Sequence, residues 1–330
     1  MAKCSICGRD AVAYIRYQRR YLCREHYIEF VENKVRRSIK RYKLLSKGSK
    51  VLVSVSGGKD SAALLMALSR LSKEYQLKLY ALHINLGIGE YSEKSLRAST
   101  EAAKMLRIPL IILNVKDLIG YTIPELARRL RRPVCSVCGL VKRYLINAVA
   151  VELGADAVAL GHNADDLAVY SMKSFITQDL EYLDKLGPKT ENIQGIAVGR
   201  IRPLYEVYEK ESFLYAFLLG VPFIHDECPH VNHESLEQIL KVKLNEVEEK
   251  KPGMKIMMLR NMAKRIRDLP RREYRVQSCR YCGLLSSTEV CSFCRMTARI
   301  HGEPLGPIVR SRVRELVKES ESRQLSSAAG

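Results

Sequence analysis

The sequence predicts an α/β fold, a doubly wound parallel sheet flanked at the two ends of the chain by small metal-held fingers. Three observations predict it. Short β-branched runs alternate with stretches of helical period from residue 50 to about residue 220. One of those runs, Lys50-Val51-Leu52-Val53-Ser54-Val55, leads straight into Ser56-Gly57-Gly58-Lys59-Asp60-Ser61 and then into the apolar helix pattern Ala62-Ala63-Leu64-Leu65-Met66. Seven of the ten cysteines, together with His26, stand in two-residue spacings near the chain ends.

The second observation carries the chemistry. Strand, glycine turn and helix start aim loop amides and the helix N-terminus at one spot, and the hydroxyls of Ser54, Ser56 and Ser61 lie within the same stretch. A phosphate group is the expected ligand. The spacing is not that of a Walker A loop, because the first two glycines are adjacent and Lys59 is followed by Asp60 instead of a hydroxyl residue.

The elements follow in chain order. Cys4-x-x-Cys7 and Cys23-x-x-His26 are two knuckles that together offer four ligands and no open position, which predicts a structural zinc site over residues 1–27. So short a segment has almost no core, so the metal would supply its folding energy. A linker helix is expected over 28–48: Phe30, Val31, Val35, Ile39 and Tyr42 recur at helical spacing, with Lys34, Arg36, Arg37, Lys40, Arg41 and Lys43 on other faces. Those cations are either a surface for phosphates or a solvated face.

The catalytic core is expected over 49–230. A second strand ends in His83-Ile84-Asn85, a helix spans 92–107, and a third strand starts at Leu110. In such folds ligands collect at the carboxyl ends of the strands, which places His83 and Asn85 toward a nucleotide. Cys135-Ser-Val-Cys138 reads as a turn before a helix that begins at Leu140 and carries Lys142 and Arg143. A strand over 156–160 runs into Gly161-His162-Asn163-Ala164-Asp165-Asp166, again polar residues at a strand end. Another strand is expected over 196–204, then a helix to Leu219, then Val221 to the end of a strand near Cys228.

Cys135, Cys138 and Cys228 are the three cysteines the fingers do not use. Brought together beside the phosphate loop, three thiolates leave one metal position open, which suits an iron–sulfur cluster with a free iron or a set of redox-active thiols. Inert buried cysteine is the plainer alternative. Charged helices are expected over 232–250 and 254–268, within a helical extension at 231–272 whose methionines read as core filler. Cys279-x-x-Cys282 and Cys291-x-x-Cys294 predict a second zinc finger over 273–300. A last helix over 300–317 and a disordered tail complete residues 301–330.

Net charge is +19, and the first 50 residues together with residues 260–300 hold 17 of that excess. A neutral centre with basic ends suggests a core with two arms that grip a polyanion. No apolar run approaches a membrane span and the N-terminus lacks a signal layout, so a soluble cytoplasmic protein is expected.

On these residues together, the chain resembles the TtuA-type tRNA 2-thiouridine synthetases and, more broadly, the cytosolic wobble-uridine thiouridylases. One departure is Leu167-Ala168-Val169-Tyr170, where relatives tend to carry a glutamate. The resemblance implies an adenine nucleotide α-hydrolase-like PP-loop domain that binds ATP and Mg²⁺ on residues 56–61. It implies adenylation of a uridine C2 oxygen, followed by sulfur transfer to give 2-thiouridine, with 5-methyluridine of the T-loop as the target and the wobble uridine as the alternative. It further implies a [4Fe-4S] cluster on Cys135, Cys138 and Cys228, and active-site roles for Lys142 and for Asp165 as a base or magnesium ligand. A ubiquitin-like thiocarboxylated sulfur carrier, tRNA and a second copy of the chain are the implied partners. Two other readings compete with it: an amide-forming ATP pyrophosphatase, which needs no knuckles, and a non-catalytic zinc-finger RNA-binding protein, which leaves three cysteines idle.

Overall fold

The structure, a computed structural model, describes residues 2–265 and 276–328, with side chains through residue 322. A hairpin of β1 (Ala13–Ile15) and β2 (Arg20–Leu22) carries the N-terminal cysteines into α1 (Arg24–Tyr42). The central part then alternates β3 (Lys50–Ser54), α2 (Lys59–Tyr75), β4 (Lys78–Asn85), α3 (Gly89–Met105) and β5 (Leu110–Asn114). Helices α4 (Val115–Ile119), α5 (Ile123–Leu130) and α6 (Val134–Leu153) lead back to β6 (Ala157–Ala159). The chain continues through α7 (Ala164–Ile176), α8 (Leu180–Asp184), β7 (Arg200–Ile201) and α9 (Glu209–Leu218). After the sheet come α10 (Leu236–Lys250), α11 (Met254–Arg265), the short β8 (Gln277–Ser278) and β9 (Leu285–Ser286), α12 (Ser292–His301) and α13 (Gly306–Ala328).

Strands β3 to β7 form one parallel sheet in the order β5-β4-β3-β6-β7. The chain steps outward from β3 to β5, then returns to lay β6 on the other side of β3. The order therefore reverses between β3 and β6, and the crevice above their carboxyl ends is where such sheets bind ligands. The strands are apolar on both faces because helices cover both. Leu52, Leu82 and Val158 pack with α5 and α6, while Val51, Val53, Ala81 and Ala159 pack with α1, α2 and α9.

Neither finger is a separate arm. Ile15 and Leu22 of the N-terminal hairpin join the α1–α2 core, and Cys279, Cys282, Phe293, Cys294 and Met296 join the core under α6. The basic ends are thus part of the body of the molecule, held there by apolar side chains that charge counting does not register.

Three further expectations are revised. The strand expected over 196–204 is only Arg200–Ile201, because 189–197 fold into a local turn with an Ile193–Ala197 bridge. Residues 319–328, expected to be disordered, continue α13. Val309, Val313 and Val317 recur every four residues and are buried against α6 and β5, with Ser320 beneath them and Glu321 paired to Lys50. Burying each such valine contributes about 1.5–3 kcal/mol, enough to outweigh the polar composition. Helix α6 is long and apolar enough to cross a membrane by length and composition; here Val137, Val141, Leu145 and Val149 face the sheet instead. The continuation of α11 to residue 268 lies outside the described residues.

Candidate functional site

The phosphate loop spans the crevice predicted by the sheet order. Gly57 has φ +83°, and a Cβ there would stand 2.7 Å from the Ser95 backbone of α3, so only glycine fits both the turn and the packing. Gly58 is the N-cap of α2 and its amide lies 3.4 Å from the Ser56 hydroxyl. Ser61 does not donate outward as its hydroxyl suggests from sequence. It is buried, donates to the Gly58 carbonyl (2.8 Å) and accepts from the Ser56 amide (3.1 Å), holding the loop in shape before any ligand arrives. Ser54 ends β3 half-buried beside Leu82.

Lys59 Nζ lies 2.9 Å from Asp60 and 2.8 Å from Glu209, which starts α9. Burial works against its charge, but the two carboxylates outweigh it and hold the ammonium above its ordinary pKa. Asp60 is in turn fixed by Asn163 Nδ2 (3.1 Å) and the Ser212 hydroxyl. Gly161 lets the end of β6 press onto this helix start, since a Cβ there would meet the Ser61 amide at 3.1 Å.

The two aspartates after Asn163 separate in role. Asn163 caps α7, accepting from the amides of Asp165 and Asp166. Asp165, the expected base or magnesium ligand, turns away from the crevice: it is buried, its Oδ1 pairs with Lys255 of α11 at 2.5 Å and its Oδ2 accepts from the Glu209 amide. That pair ties α11 and α9 to the sheet. Asp166, which the sequence reading does not single out, keeps its carboxylate near Asp60. Burial first, and the Asp60 charge second, push its pKa up to about 7.

The native state therefore holds the Asp166 proton more tightly than the unfolded chain, and stability falls as pH rises from about 4 to about 7. Asp166→Asn keeps the shape and removes this term, worth at most about 4 kcal/mol. The melting temperature of the variant is expected to exceed the parent's at about pH 8 and to match it at about pH 4; a parent whose melting temperature does not fall across that window overturns the assignment.

The histidines also differ from expectation. His83 is buried, its Nδ1 3.0 Å from the Val55 carbonyl and 2.9 Å from Ser99 of α3, so that side of the ring braces β4, while its Nε2 has no partner among the described residues. Asn85 accepts from the Gly87 amide and shapes the turn into α3. His162 does fit a ligand site. Burial, then Arg202 and Lys142, lower its pKa to about 4, so the ring is neutral, and its Nδ1 has no partner among the described residues.

The three spare thiols approach one another on the α3 side of the loop. Cys135 and Cys138 lie on the first turn of α6, which starts at Val134 instead of after the pair. Cys228 sits in a loop and not at a strand end: only Ile224 bridges to Gly58 of the phosphate loop, four residues earlier. The loop then folds over α6, where Cys135 Sγ donates to the His230 carbonyl at 3.5 Å. Burial pushes the Cys138 thiol up, Lys142 one turn along opposes it, and the charges of Cys228 and Cys135 add to it. Tyr91 of α3 feels the charges of Cys228 and Cys138, one turn before Ser95, the residue that backs Gly57. Unlike the finger ligands, the three sulfurs do not crowd around one point. A cluster takes each thiolate on a separate iron, so that wider triangle fits it better than a single ion.

The fingers fit single ions. In the first, Cys4 and Cys23 Sγ each lie 3.4 Å from His26 Nδ1 and Cys7 lies 3.7 Å from Cys23. In the second, Cys282 and Cys291 are 3.8 Å apart. Ligands on a tetrahedral ion with metal–sulfur bonds of about 2.3 Å stand about 3.8 Å apart, which is this spacing.

With the geometry in place, the comparisons decide the family. Residues 29–234 match the PP-loop domain and residues 3–28 match the N-terminal LIM domain of the 2-thiouridine synthetase TtuA. The chain is 42% identical to the tRNA-5-methyluridine(54) 2-sulfurtransferase of Pyrococcus horikoshii, covering 89% of this chain and 93% of that one. The chain belongs to the TtuA-type family of PP-loop tRNA-thiolation enzymes. The Thermus thermophilus enzyme of the same description is 41% identical over 89% of this chain and 90% of its own length. Among solved structures, the U34-tRNA thiolase NcsA from Methanococcus maripaludis with its [4Fe-4S] cluster superposes with a TM-score of 0.78 at 28% identity, over 91% of this chain and 97% of that one.

Proposed function

We propose that this family member is the ATP-dependent 2-sulfurtransferase of 5-methyluridine 54 in tRNA. The observation that carries the choice of nucleotide is the identity above 40% to two enzymes of that description along nearly the whole chain. ATP, with Mg²⁺ accompanying its phosphates, lies on residues 56–61. The uridine C2 oxygen attacks the α-phosphate, the bond to the β-phosphate breaks and pyrophosphate leaves. Loop amides, the α2 N-terminus and Lys59, once released from Glu209 by the incoming phosphates, offset the charge that builds there. A sulfur nucleophile then adds at C2, and AMP leaves with the original oxygen.

Cys135, Cys138 and Cys228 would hold a [4Fe-4S] cluster, which would supply a site for binding and delivering sulfur. Lys142, one turn beyond Cys138, opposes the burial that pushes that thiol up, and its charge also reaches His162. Zinc fills the two fingers. A protein-borne sulfur donor, the thiocarboxylated ubiquitin-like carrier, is supported by an open cleft of about 470 Å³ beside Cys228, lined by Tyr91, Lys94, Asp226 and Pro229 and wide enough for an extended chain end. Location in the cytoplasm follows from the tRNA substrate, and the exposed stacked pair Phe213 and Phe217 supports a dimer.

A second reading, thiolation of the wobble uridine, is favoured by the fold match to the U34 thiolase. Two tRNAs separate them, one with cytidine at position 54 and one with 5-methyluridine at position 54 and cytidine at position 34. Incubated with the anaerobic enzyme, ATP and sulfide, only the second is expected to gain 2-thiouridine, read by mass spectrometry of nucleosides. Thiolation of the first and not the second overturns the proposal.

A further inference from the structure

Beside the outer edge of the sheet lies a cleft of about 1360 Å³ that shares no residue with the phosphate loop or the three thiols. The C-terminal part of α1, the loop before β7 and helix α11 form its walls. Eight of its lining residues are Lys or Arg and two are Asp or Glu. Arg37, Lys43, Lys189 and Lys264 have no carboxylate partner among the described residues.

Two more cations are held in place from beneath. Glu206 is buried and takes Arg41 at 2.5 Å, Arg260 at 2.5 Å and the Tyr42 hydroxyl at 2.7 Å, while both guanidinium side chains remain close to half exposed. One carboxylate beneath two guanidiniums leaves net positive charge at the wall and donors free to bond outward. A solvated face would spread its lysines over convex surface. Here they converge on a concave one, whose low-dielectric walls focus the positive potential.

The aromatic residues of the cleft narrow the ligand further. Tyr17 and Tyr42 point their hydroxyls into Glu211 and Glu206 and pack against Tyr208 and Tyr205 at ring distances of 5.5 and 5.3 Å. They are tied into the protein and offer no stacking platform for a splayed base. Much of the basic face of α1 is already used: Lys34 is buried on Glu211, and Arg36 pairs with Glu74. Of the exposed cations at the C-terminal end of that helix, Arg37, Arg41 and the capping Lys43 line this cleft, while Lys40 lies outside it.

We infer that the cleft grips the ribose-phosphate backbone of the RNA substrate at a distance from the base being modified, positioning it without reading sequence. The inference rests on the tRNA reading above and adds where the polyanion docks. Phosphate contacts of this kind orient nucleic acid and make its binding strongly salt-dependent.

The test uses the full chain and a fluorescently labelled tRNA transcript, with the dissociation constant followed by anisotropy over a series of KCl concentrations. The variant R37E/K189E/K264E is expected to bind roughly tenfold more weakly or worse, and to flatten the slope of log K against log salt by about two to three, near one for each phosphate no longer neutralised. A charge-matched control, K73E/K104E/K116E, alters three exposed lysines outside the cleft and is expected to keep the parental slope. R37Q/K189Q/K264Q, which introduces no new repulsion, is expected to show the same flattening and covers the case in which the reversed variant does not fold. If the cleft variants and the control weaken binding equally and keep the slope, the cleft is overturned while tRNA binding stands. If the parent does not bind tRNA at all, the tRNA reading falls and takes the cleft with it, a distinguishable result.

Discussion

Cys138→Ser is expected to lower 2-thiouridine formation by ~10³-fold or more while ATP-dependent pyrophosphate release persists. In the proposed mechanism the two half-reactions are carried by different residues. Adenylation depends on the loop at Gly57 and Gly58, on Lys59 and on Asp60, which Asn163 and Ser212 hold without help from any cysteine. Sulfur delivery depends on the pair at the start of α6 and on Cys228. Cys138 and Cys228 are half-buried, Cys138 with Lys142 beside it, whereas Cys135 is exposed. A serine oxygen is a poor ligand for iron, so the variant would leave the proposed cluster with two anchors. Iron and acid-labile sulfide, assayed after anaerobic purification, should therefore fall together with thiolation. A variant that keeps the parental thiolation rate overturns the cluster role. One that keeps its iron but loses pyrophosphate release shows that Cys138 serves the adenylation step instead.

The contrast between loop and carboxylates shows what a sequence carries. The phosphate loop is legible because its function depends on residues within a dozen positions: the strand, two glycines and a helix start. The same holds for the fingers, whose ligands sit on local knuckles. Asp165 and Asp166 are not separable in this way, because their difference is made by partners 44 and 90 residues away, the Glu209 amide and Lys255. Glu209 itself carries no local signal; it matters only because α9 begins over the loop. The tail shows the opposite failure. Val309, Val313 and Val317 have the spacing of a packed helix face, yet the serines and glutamates after them suggest disorder, and only the groove between α6 and β5 explains why the helix continues. His83 departs from expectation for a similar reason, since alternation along β4 does not say which face α3 covers.

Removing the metal proposed for the C-terminal finger is expected to destabilise the whole protein, and removing the one proposed for the N-terminal finger to do so far less. The second finger is built into the sheet's own core. Phe293 stacks on Tyr144 of α6 at 3.7 Å, the Tyr144 hydroxyl donates to the Gly306 carbonyl, and all four cysteines are buried. A Cβ on Gly306 would come within 2.3 Å of Cys294 Sγ, so α13 starts directly on the ligand set. Without the metal, four thiols in that space lose their common partner, and α12 and α13 lose the anchor that seats them on α6. The first finger touches the core mainly through Ile15 and Leu22, and its Cys7 is exposed. Cys294→Ser is therefore expected to lower the melting temperature by about 10 °C or more, on a scale where 1 kcal/mol moves a domain of this size by about 2–4 °C. Cys7→Ser should lower it by only a few degrees. Thermal unfolding with zinc analysis on both variants decides the matter: equal, small shifts would mean that the second finger is an appendage after all, and that the apolar contacts of Phe293 and Met296 hold α6 without the metal.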